Sequence, residues 1–107
     1  MDSFDRRKEG FEKKFAHDEE LRFKATARRD RLLGLWAAEL FGMPDNQALD
    51  YAKEVVLSDF DEPGDDDVLR KVLADLESKG VEVTERGVRR EMDSLLEKAK
   101  QEFMAEG

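Results

Sequence analysis

DEELRFKATARRDRLLGLWAAELFGMP, residues 18–44, decides the fold. Leu21, Ala25, Leu32, Leu33, Trp36 and Leu40 recur at helical spacing, which predicts one amphipathic helix over about 18–41. Asp18 is placed to cap its start. Gly42 stands just beyond its end and Pro44 soon follows, the usual stop signals of a helix. Trp36 falls on the inner stripe and reads as the largest core anchor, with a partner contact open to it if its edge reaches the surface. Gly34 inside the helix costs about 1 kcal/mol against alanine. It marks close packing of a neighbour or is simply tolerated.

Three further helices follow from the same pattern. The second is predicted over about 46–59, with Leu49, Ala52, Val55, Val56 and Phe60 inward; DEPG at 61–64 breaks it. The third, 66–78, begins in an acidic cluster that suits the positive end of a helix dipole. It turns Val68, Val72, Leu73 and Leu76 inward and closes at Gly80. The fourth, 84–104, has Thr84 as its cap and a Val83–Val88 staple around it. Its stripe runs through Met92, Leu95, Leu96, Ala99 and Phe103. VEV at 81–83 alternates but is too short for a sheet. The expected fold class is all-α: a small four-helix bundle over 18–107 behind a flexible, conditionally helical N-terminal arm, 1–17.

Composition narrows the function classes. With 39% hydrophobic and 43% charged residues, the 107-residue chain folds only if each element segregates its apolar face. A net charge of −8 argues against nucleic acid as a partner. The chain has no cysteine, so disulfides and thiolate metal sites are excluded. No apolar run reaches the length of a membrane span, and the N-terminus lacks the apolar core of a secretion signal. The expectation is a cytoplasmic protein without direct membrane insertion.

The arm differs from the rest. Phe4, Phe11 and Phe15, seven and four residues apart, fall close to one line on a helix. Asp18 and Arg22 continue that line, so the aromatic stripe ends where the bundle begins. Residues 1–17 carry five basic and four acidic groups, net +1, against −9 for the remainder. Full burial of three phenylalanines gains roughly 5–9 kcal/mol. Ordering about fifteen residues costs on the order of 15–30 kcal/mol of backbone entropy, and Gly10 weakens the helix further. Two destinations for the aromatics fit this pattern: a groove on another protein, or the chain's own bundle.

Catalytic chemistry finds little support. His17, the sole histidine, cannot build a histidine metal cluster and stands by no recognisable serine nucleophile. It reads as a helix-start or hinge residue at the junction of arm and bundle, of a type that titrates near neutral pH. DFDEPGDDD, 59–67, superficially resembles a calcium loop. Pro63 occupies a ligand position, however, and Arg70 stands where the bidentate glutamate belongs. A solvated acidic turn explains the run. Arg28, Arg29 and Arg31 beside Lys24 suit a phosphate or an acidic surface, but pairing with the chain's own Asp and Glu fits equally well. No phosphate loop or dinucleotide fingerprint is present. The reading is of a non-enzyme without cofactor or metal.

FEKKFAHDEELRFKATARRDRLLGLWAAELFG, 11–42, and YAKEVVLSDFDEPGDDDVLRKVLADL, 51–76, resemble the zeta subunit of the alphaproteobacterial F-type ATP synthase. The strings FAHDEE, ARR-x-x-LLGLWAAE and EPG-x-x-DVLRKV carry the likeness, which weakens only at 43–50 and at the extreme C-terminus. The resemblance implies a four-helix bundle with an N-terminal region that inhibits the F1 sector. Carried over, Phe4, Arg6, Arg7, Lys8, Phe11, Lys13, Lys14, Phe15 and His17 are the partner-binding residues. The arm would become helical at an alpha/beta catalytic interface near the gamma stalk and block ATP hydrolysis, while synthesis expels it. The alternative implied is a structural or assembly factor of F1. The expected partners are the alpha, beta and gamma subunits, with a monomer when free, peripheral to the membrane-bound enzyme. Asp30 departs from the family pattern, where a neutral or amide residue is usual, and is expected to alter charge contacts of the bundle.

Overall fold

The computed structural model describes residues 19–59 and 64–106. The described chain consists of four helices: α1 (Glu19–Phe41), α2 (Asp45–Ser58), α3 (Asp66–Ser78) and α4 (Glu85–Glu106). The fold is an all-α four-helix bundle with no strand among the described residues. VEV at 81–83 is a connection, not a sheet. Relative to the predicted spans, α2 starts and stops one residue earlier and α4 runs two residues further.

Local chemistry sets the helix ends. After α1, Gly42 takes a left-handed φ of 75° and its N–H donates to the Glu39 carbonyl at 3.1 Å, while the Met43 N–H donates to Ala38 at 3.0 Å. After α3, Gly80 (φ 76°) and Val81 repeat the pattern, their N–H groups donating to Glu77 and Leu76. A residue with a Cβ resists that φ, so glycine stops both helices. Met43 and Val81 then pack on the core, the apolar contact that accompanies this stop. At the start of α4, the Gly87 N–H donates to Thr84 Oγ1 at 2.9 Å, a side-chain cap. Val83 and Val88 both join the core.

The core gathers Leu33, Ala37, Tyr51, Val55, Val68, Val72, Leu76, Val88 and Met92. Gly34 lets α1 and α2 approach closely: a Cβ there would lie 2.6 Å from the Ala52 Cα and 3.2 Å from Val55. That contact is with backbone, so it is the reason for the glycine. A polar strap joins α2 to α3. Tyr51 Oη donates to Asp75 at 2.8 Å, Lys71 Nζ donates to the same carboxylate at 3.0 Å, and the Phe41 ring meets Tyr51 edge-on. Burial, then the bond to Asp75 and the nearby Asp75 and Glu54 charges, pushes the Tyr51 hydroxyl well above the ordinary phenol range.

Some inner-stripe expectations are corrected. Leu40 and Leu49 are 44% and 46% exposed. Trp36 is half-buried at the edge of the core, whose fully buried bulk is Leu33, Leu76, Met92 and four valines. The stripe of α1 is narrower than its apolar pattern because Gly34, Ala37 and Ala38 occupy the closest approach. The bulky Trp36 fits only beside it.

Candidate functional site

All nine residues singled out for partner binding, Phe4, Arg6, Arg7, Lys8, Phe11, Lys13, Lys14, Phe15 and His17, lie outside the described residues, as do Asp18 and Phe60. The described structure shows what they are attached to. Their segment runs into the first turn of α1, where Glu19 and Glu20 suit the helix dipole and Glu20 pairs with Lys24 at 3.1 Å.

Further along α1, Arg28 and Arg29 bind the helix to different neighbours. Arg28 lies 4.0 Å over the Phe103 ring and donates to Glu106 at 3.0 Å, which fixes the C-terminal end of α4. Arg29, buried, donates from Nε to Asp30 Oδ1 at 2.8 Å and from Nη2 to Asp65 Oδ1 at 2.9 Å. Asp59 Oδ2 stands 3.8 Å from the same Nη2. Asp59 follows the last residue of α2 and Asp65 precedes the first of α3. One guanidinium thus pins the α2–α3 junction to α1. Burial works against the Arg29 charge, but the bonds and charges of Asp65 and Asp30 outweigh it and hold its pKa above the ordinary value.

Asp30 is 1% exposed. Burial, then the neighbouring Asp59 carboxyl, pushes its carboxyl up to about 8 against the opposing pull of Arg29. The altered charge contact expected at position 30 is therefore internal to the bundle. The basic run is divided between uses: Arg28 and Arg29 pair within the chain, and Arg31 is exposed. From the acidic run, Asp65 faces Arg29 and Asp67 engages Arg70. Among the described residues no group of His, Cys, Asp and Glu is arranged to hold a metal ion.

Sequence reading missed the Arg29–Asp30–Asp59–Asp65 cluster. A signal existed: Arg29 lies four residues after buried Ala25 and four before buried Leu33, so it sits on the inner face. Its charge argued for the surface, and periodicity was right.

A family model described as ATPase inhibitor subunit zeta matches residues 1–102. A solved structure, described only as a solution NMR structure of a protein, shares 46% sequence identity and superposes with a TM-score of 0.71. It covers 81% of this chain and 99% of its own. No curated protein shows a significant match.

Proposed function

The chain belongs to the family of ATPase inhibitor subunit zeta, regulatory inhibitors of the F1-ATPase and not enzymes, and from that premise we propose that residues 1–17 are its inhibitory arm and 18–107 its anchoring bundle. The arm enters an alpha/beta catalytic interface as a helix, reaches the gamma stalk and obstructs rotation in the hydrolysis direction. Phe4, Phe11 and Phe15 bury along one line. Arg6, Arg7, Lys8, Lys13 and Lys14 meet acidic groups of the cleft, and His17 forms the hinge. The protein acts as a monomer in the cytoplasm, peripheral to the membrane-bound ATP synthase; no described helix is long and apolar enough to cross a membrane.

The observation that carries this reading is the extent of the family match, which includes the whole of 1–17. Physical chemistry supports it. The arm has an aromatic line with an insufficient core of its own and mixed charges suited to a polar cleft, the pattern of helix-in-groove recognition. The test is ATP hydrolysis by F1 of the same species with the full chain and with a chain lacking residues 1–17. The full chain is expected to inhibit and the truncated chain to leave turnover unchanged. Binding by the full chain without loss of turnover would instead assign it to F1 structure or assembly.

A further inference from the structure

Around Arg29 the bundle sets one guanidinium against the three carboxylates of Asp30, Asp59 and Asp65. Fully ionised, the cluster would carry a net charge of −2 around side chains of Arg29 and Asp30 that are 2% and 1% exposed. Asp30 Oδ1 accepts from Arg29, yet its buried Oδ2 has no hydrogen-bond partner. Asp30 and Asp59 line the same cavity of about 90 Å³, whose other walls are Phe23, Thr26, Ala27 and Val56. None of those walls brings a positive charge. A buried carboxylate oxygen beside a second carboxylate needs a donor, and a proton held between the two supplies it.

We propose that the Asp30–Asp59 carboxyl pair retains one proton at neutral pH, and that this proton ties α1 to the α2–α3 junction. Nearby cations on the packing elements are engaged elsewhere. Arg28 of α1 serves Glu106 of α4, Arg70 of α3 serves Asp67, and Lys71 of α3 serves Asp75 and Glu54. Arg89 of α4 serves Asp66 and Glu85. Among the described residues, Arg29 is the cation that pairs with these carboxyl groups. The upward displacement of the Asp30 titration agrees with this geometry.

The sign of the linkage follows. Below the ordinary aspartate value of 3.8, folded and unfolded chains both hold the proton; between there and about 8 only the folded chain does. Over that window the unfolded-to-folded ratio rises by up to about tenfold per pH unit from this pair, and above it the contribution is flat. The junction is therefore held most firmly in acid and loosens as pH rises through the folded titration. Other carboxylates superpose their own slopes, which makes a site-resolved measurement necessary.

The deciding experiment is a side-chain carboxyl carbon-13 NMR titration of the full chain from about pH 3 to about pH 10. One carboxyl of the Asp30–Asp59 pair is expected to titrate with a midpoint above about 7, and the Asp59→Asn chain to return Asp30 to a lower midpoint. Glu102, whose Oε1 is also buried without a partner, is separated by the Glu102→Gln chain. Midpoints below about 5 for both Asp30 and Asp59, or a high midpoint that vanishes with Glu102→Gln, overturn the proposal. The wild-type titration decides even if a variant fails to fold. The inference rests on the bundle alone, so its failure and a failure to inhibit F1 are independent results.

Discussion

The inner face of α1 meets α2 in two unlike ways. At Gly34 the helices touch backbone to backbone, with Ala52 and Val55 filling the contact. One turn earlier, at Arg29 and Asp30, the same face is equally buried but is held by charge. At the apolar crossing an added Cβ would have to push the Ala52 backbone aside. The charged junction tolerates no missing partner. Burial alone thus says little about how a position responds to change; what lies opposite decides.

The sharpest break should come from Arg29→Ala. Removing the guanidinium leaves three carboxyl groups without their shared counter-charge, and breaking such a buried pair costs about 3–5 kcal/mol. Chemical denaturation at neutral pH is the readout; a loss under about 1 kcal/mol would mean that water already screens the junction. At the apolar crossing, Gly34→Ala should cost about 1–3 kcal/mol despite its better helix propensity, because the new Cβ meets the Ala52 Cα. Greater stability for Gly34→Ala would show that the helices can move apart cheaply.

Milder changes place other contacts on the same scale. Tyr51→Phe deletes one hydrogen bond while Lys71 still donates to Asp75, so about 0.5–1.5 kcal/mol is expected. Its unfolding midpoint belongs between that of Gly34→Ala and that of the wild type. Lys24→Ala removes an exposed pair with Glu20 and should cost no more than about 0.5 kcal/mol, fading with added salt. A large effect there would break the distinction between buried and surface charge.

The residues proposed to act on F1 and those that hold the bundle were unequally legible. The helix stops at Gly42 and Gly80 and the Thr84 cap were readable because each depends on neighbours within five residues. The partner-binding set was chosen from the aromatic line of 1–17 and from resemblance, and lies outside the described residues. The buried charge cluster was legible only in part: helical spacing puts Arg29 on the inner face, but its partners come from positions 30, 59 and 65 and the acidic run looked solvated.

By itself the sequence determined four helices, the glycine stops at Gly42 and Gly80, the Thr84 cap and a charged chain without thiol chemistry, since these depend on local propensity, backbone conformation and composition. Only the tertiary structure decided that Trp36 sits at the rim, that Leu40 and Leu49 face solvent, and that Arg29 and Asp30 are inside. Helical periodicity fixes which side chains share a face but carries no information about the surface brought against it. That surface sets whether a face closes on methyl groups, on backbone or on an opposite charge.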